Sequence, residues 1–165
     1  MPDFESDARL VADTYPITEL PLCQLRLMDD ARFPWLVLVP RRHAVSEVFE
    51  LDEADQRQLW REATAVGRAL LEALGGDKLN IASLGNVVAQ LHVHAVIRRR
   101  EDAAWPAPVW GHGRAEPYDP DALAAMRARI LAELERLDLG SGSQGSGNQG
   151  TGNKGTGNKG SRDQG

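Results

Sequence analysis

Residues 86–98 read Asn-Val-Val-Ala-Gln-Leu-His-Val-His-Ala-Val-Ile-Arg, with polar side chains at alternate positions of an otherwise apolar run. Side chains of a strand point to opposite faces in turn. The period therefore predicts a strand over Val87–Ile97, with Gln90, His92 and His94 on one face and Leu91, Val93 and Ala95 on the other. An imidazole beside β-branched apolar neighbours is costly unless it is hydrogen-bonded or put to use. Two in register mark a candidate site.

The rest of the chain supplies partners for this strand. Residues 5–12 suit a short helix before a turn at Tyr15-Pro16. Leu22–Met28 alternates as a strand, Asp29–Pro34 interrupts it, and the dense apolar run Trp35–Val39, stopped by Pro40, fits a central strand. Asp52 is placed to cap a long helix whose stripe is Leu59, Ala63, Val66, Leu70 and Leu74, with Gly75-Gly76 as its stop. Lys78–Leu84 reads as a strand and Gly85-Asn86 as a turn or bulge. Asp119-Pro120-Asp121 opens a final helix, proline being suited to the first helical position, with the stripe Leu123, Met126, Ile130, Leu134 and Leu137. Locally paired strands with one inserted helix and one following indicate an α+β domain.

From Gly140 the chain becomes a five-residue repeat without an apolar residue, carrying ten of the 16 glycines. A segment with nothing to bury cannot offset its ordering entropy, so residues 140–165 are expected to form a disordered tail and residues 1–139 one domain. The tail is net +2, so the whole-chain charge of −5 leaves −7 on residues 1–139. An acidic body argues against binding a nucleic-acid backbone. Cys23 is alone, which excludes an internal disulfide and a cysteine zinc cluster. The polar, acidic start MPDFESDARL has no signal-peptide pattern, and no stretch approaches the roughly 20 apolar residues of a membrane span. No membrane association and a cytoplasmic location are expected.

Histidine offers a nucleophilic nitrogen, a proton donor or acceptor, and a metal ligand. Alternate strand positions bring two imidazoles to one phosphate, or to one metal ion. A metal needs further donors, and His43, Asp29 and Asp30 are at no fixed spacing from the pair. A third reading is a pair of hydrogen-bonded core histidines. Backbone N–H groups at Gly85-Asn86 suit phosphate oxygens, and alternation carries Arg98 to the histidine face, whereas Arg99 and Arg100 read as a solvated strand end.

Gln90-Leu-His-Val-His-Ala-Val96 resembles the histidine triad motif, in which three histidines alternate with apolar residues and two apolar residues follow. Phe33-Pro-Trp-Leu-Val-Leu-Val-Pro-Arg-Arg-His43 resembles the family's second central strand. Asn80 and Gly85-Asn86 match polar positions before the triad, and Trp105-Pro106 to Trp110-Gly111 resembles a segment after it. The likeness spans about residues 20–111.

The resemblance implies a histidine-triad-like fold, an antiparallel sheet of about five strands with a long helix and a C-terminal helix. It implies an enzyme that cleaves or transfers at the nucleotide α-phosphate and acts as a homodimer, with no cofactor and no metal. His92 takes the position of the attacking histidine, and His94 that of the one contacting phosphate or leaving-group oxygens. Substrate binding falls to Asp30 (or Asp29) at the ribose hydroxyls and to Asn80, Asn86, Arg98 and His43. Two departures follow. Gln90 replaces the first histidine and cannot titrate; whether it matters depends on whether that position acts through its side chain or its backbone carbonyl. Val87 replaces a hydroxyl residue that touches phosphate. A catalytically weakened nucleotide-binding module is the competing reading.

Overall fold

In Trp35–Pro40 (β3) and Val93–Arg98 (β5) every residue is buried, so the sheet they share is covered on both faces. The computed structural model describes residues 4–140. It adds Thr14–Glu19 (β1), Cys23–Met28 (β2) and Lys78–Ser83 (β4) to give an antiparallel sheet of order β1-β2-β3-β5-β4. This is the five-stranded α+β arrangement expected. The tail reading falls outside the described residues.

One sheet face packs on the long helix Glu53–Leu74 (α2) and the C-terminal helix Pro120–Leu134 (α3). Leu25, Leu27, Leu36, Leu38, Val93, Ala95 and Ile97 meet Leu59, Ala63, Val66, Leu70 and Ile130 there. Asp52 caps α2 by accepting from Asp55 N, and Gly75 ends it at φ 65°, a left-handed conformation that a side chain would oppose. Glu62 interrupts the apolar stripe yet is fully buried. Its carboxylate accepts the N–H groups of Leu22 and Cys23 at 2.7 and 3.0 Å, tying α2 to the start of β2.

The opposite face, with Trp35, Val37, Val39 and Val96, is covered by Leu10 of the short helix Ala8–Asp13 (α1) and by Phe33, Ala104 and Val109. This second layer holds the histidines.

Two local expectations change. Tyr15-Pro16 lies inside β1 instead of forming a turn. Proline is tolerated there because β1 is an edge strand, and its register shifts between Pro16 and Thr18. The histidine strand begins at Val93, not Val87: β4 and β5 pair with Ser83 opposite Val93, so residues 84–92 form the connection between them. The alternation nevertheless continues back through it, Leu91 joining the α2 side.

Candidate active site

β3 and β5 pair with Val37 opposite His94 and Trp35 opposite Val96. Trp35 and His94 are therefore diagonal neighbours on the face away from α2. The indole Nε1 lies 2.9 Å from His94 Nδ1. An indole N–H only donates, so His94 Nδ1 is the acceptor and its ring hydrogen is on Nε2.

His92 is set the other way. Its Nδ1 is 2.7 Å from the Gln90 carbonyl oxygen. A carbonyl only accepts, so the hydrogen is on Nδ1 and Nε2 keeps a free lone pair. The two rings meet edge to face with centroids 4.9 Å apart. Burial, and then the neighbouring His92, pull the His94 pKa down to about 4, so His94 is neutral at pH 7. One ring offers a nucleophile and the other a donor.

Both rings line a cavity of about 480 Å³ with Arg9, Leu10, Asp13, Asn86, Val87 and Trp110 among its walls. Trp110 stands edge-on to both Trp35 and His94 at 5.6 and 5.5 Å, and its buried Nε1 has no partner among the described residues. A second cavity of about 350 Å³ shares the walls Ala12, Asp13, Met28 and Trp35 and adds Asp29, Asp30 and His112.

Of the residues singled out in the sequence, His92, His94, Asn86 and Val87 line the first cavity. The Gln90 side chain leaves it: Oε1 accepts from Asp7 N at 2.7 Å and Nε2 donates to Glu5 O at 2.9 Å. Only its backbone carbonyl serves His92. Gln90→Ala should therefore loosen the N-terminal segment by about 1–2 kcal/mol while kcat/KM stays within roughly threefold. Chemical unfolding and steady-state kinetics check this, and a hundredfold loss of rate at unchanged fold would contradict it.

Arg98 and Asn80 are not at the cavity. Arg98 is 2 % exposed, bonded to Asp102 and to Asn80 Oδ1, so both groups are committed to structure. Asp30 borders the second cavity, but its carboxylate is taken by Arg32 in a 2.7 Å ion pair and by Glu116 N. Those bonds, overcoming its desolvation, hold its pKa below the usual carboxylate range. Asp29 is half-buried, accepting from Tyr118 N and Tyr15 Oη, and is the more open of the two carboxylates. His43 is exposed, its ring 6.3 Å from that of Phe4, and it is not a cavity wall. Among the described residues no group of three or more His, Cys, Asp or Glu side chains is arranged to hold a metal.

Sequence reasoning missed Trp35, Trp110, Arg9 and Asp13 as cavity walls. For Trp35 the signal was its place two residues before Val37, unreadable without the β3–β5 register.

A HIT domain family model matches residues 9–101, more than half of the chain. The chain belongs to the histidine triad family. The solved structure of a histidine triad protein from Sinorhizobium meliloti 1021 is 49 % identical, covers 79 % of this chain and 96 % of its own, and has a TM-score of 0.77. A histidine triad protein from Bradyrhizobium japonicum is 45 % identical over 80 % of this chain and 98 % of its own, at a TM-score of 0.78. One from Marinobacter aquaeolei VT8 is 41 % identical over 82 % and 99 %, at 0.79. No curated protein matches the chain. Membership of the histidine triad family supports a nucleotide-binding or nucleotide-hydrolase type of function. No helix among the described residues is long and apolar enough to cross a membrane.

Proposed function

We propose that this histidine triad protein cleaves nucleotides at the α-phosphate, releasing or transferring a nucleoside monophosphate through a covalent nucleotidyl-His92 intermediate. The observation that carries the reading is the opposed pair of tautomers on one cavity. His92 Nε2 has the lone pair to attack phosphorus, and its Nδ1–H, held by the Gln90 carbonyl, shares the positive charge that the ring acquires. His94 Nε2–H, fixed by Trp35, is a neutral donor for a phosphate or leaving-group oxygen. Asn86 supplies a further amide at the same wall. Asp29, in the adjoining cavity, is assigned the ribose hydroxyls in place of Asp30. Gln90 in place of a histidine is compatible with activity because the atom His92 uses belongs to the backbone.

We further infer a homodimer. β4 ends the sheet with one edge unpaired among the described residues. Beside it an apolar hollow of about 300 Å³ is lined by Leu59, Trp60, Ala63, Ile81 and Val93, with Trp60 exposed. Sedimentation should give twice the chain mass, falling to one for Trp60→Lys; a monomeric wild type would remove the inference.

The test of activity is full-length protein on adenosine and guanosine substrates bearing amine, acyl and phosphoryl leaving groups, with release of nucleoside monophosphate as readout. Turnover of at least one is expected. Tight nucleotide binding without turnover of any would replace the enzyme with a nucleotide-binding module.

A further inference from the structure

The bond between Trp35 and His94 has a chemical consequence beyond holding a ring in place. A histidine can act as general acid near neutral pH when both ring nitrogens carry hydrogen and one is given up. For His94 that requires a proton on Nδ1, and Nδ1 is occupied by the indole N–H at 2.9 Å. Protonation would set two N–H groups against each other. The bond is buried, with Trp35 and His94 both under a tenth exposed, and Trp110 packs edge-on against both rings.

We propose that Trp35 is a positioning residue that keeps His94 a neutral Nε2–H donor, and that it thereby restricts the site to α-phosphate substrates whose leaving group departs as an oxygen anion. The proposal rests on the functional reading above and names the substrate class within it.

The step balances for such substrates. His92 Nε2 forms a bond to phosphorus while the P–O bond to an acyl or phosphoryl group breaks, and the electron pair leaves with the oxygen as carboxylate or phosphate. No proton is needed. His94 Nε2–H steadies the developing charge by hydrogen bonding without giving up its hydrogen. Water then attacks phosphorus, the P–N electrons return to Nε2, and the proton lost by water passes to solvent.

An amine leaving group is different, because its nitrogen must gain a proton as the P–N bond breaks. A neutral His94 has only Nε2–H to give, and giving it would leave an imidazolate. The other ionisable side chains on the cavity walls are His92, Arg9 and Asp13. His92 is the nucleophile, and neither an arginine nor an aspartate side chain is a proton donor near neutral pH. Burial and the neighbouring His92 separately lower the His94 pKa, which also keeps the ring neutral.

The experiment compares kcat/KM of full-length protein at pH 7 on three adenosine substrates: an acyl adenylate, a dinucleoside polyphosphate and an alkyl phosphoramidate. The phosphoramidate should be slower by about a hundredfold or more, the usual worth of a general acid. Trp35→Phe keeps a packed ring and deletes the donor. It should narrow that gap about tenfold at pH 5, where a freed Nδ1 lets His94 take up a proton although burial and His92 still hold its pKa down. Nitrogen NMR of wild-type protein should show His94 as a single Nε2–H tautomer from pH 5 to pH 8, a reading available even where Trp35→Phe fails to fold. An Nδ1–H tautomer in wild type, or equal turnover of all three substrates, overturns the proposal. Failure of all three to turn over overturns the functional reading, and the leaving-group preference with it.

Discussion

His92→Ala will lose turnover by about a thousandfold or more while the protein stays folded and still binds nucleotide, because the lone pair on Nε2 has no substitute in the cavity. His94 cannot stand in. Its Nδ1 is spent on Trp35 and its Nε2 carries hydrogen. His92→Asn sharpens the result, since its side-chain amide is able to donate to the Gln90 carbonyl as Nδ1–H does, at 2.7 Å in the wild type. It keeps the local bond and removes the nucleophile. Both variants should give melting temperatures within a few degrees of wild type and unimpaired binding of a nucleoside monophosphate. Activity surviving either substitution would sink the covalent-histidine assignment.

Asp102→Ala will be the most destabilising single change at the end of β5, costing about 3–5 kcal/mol, the usual result of removing one partner from a buried ion pair. Arg98 is 2 % exposed, and Asp102 meets its Nε and Nη2 at 2.7 and 3.0 Å. The same carboxylate accepts the N–H groups of Arg99, Ala104 and Trp105. Deletion therefore strands a buried guanidinium, left with Asn80 Oδ1 and the faces of Phe33 and Trp105, and orphans the backbone donors of Arg99 and Ala104, while Trp105 N keeps the Asp102 carbonyl.

The pH dependence has a definite sign. Hydrogen bonding from Arg98, aided by the backbone donors, lowers the Asp102 pKa from 3.8 to about 2. A depressed carboxylate contributes stability that is complete above its unfolded pKa and is lost as pH falls through its folded one. The contribution should fade between about pH 4 and pH 2 in wild type and be absent from Asp102→Ala. Urea unfolding at unchanged m-value measures it. A loss below about 1 kcal/mol at pH 7 would show the pair to be a bystander.

The elements of the fold were legible wherever periodicity and punctuation agreed. The α2 stripe, the Asp52 cap and the Gly75 stop sit where the sequence put them, as do the apolar β2 and β3. His92 and His94 stand out because polar groups alternating with β-branched ones have few structural explanations. What could not be read is pairing. Only the β3–β5 register sets Trp35 beside His94. Only tertiary competition shows that Arg98 is already spent on Asp102, Asn80 on Arg98 and Asp30 on Arg32. Gln90 misleads for a related reason: the motif weighs its side chain, whereas the structure uses its carbonyl.

The central claim is that His92 carries the nucleotide during turnover. Full-length protein mixed with its best substrate, quenched in alkali within the first turnover and digested, should yield one modified peptide, bearing a nucleoside monophosphate on His92. His92→Asn should yield none. Turnover with no nucleotide bound to protein at any time, or with the nucleotide on another residue, would contradict the account.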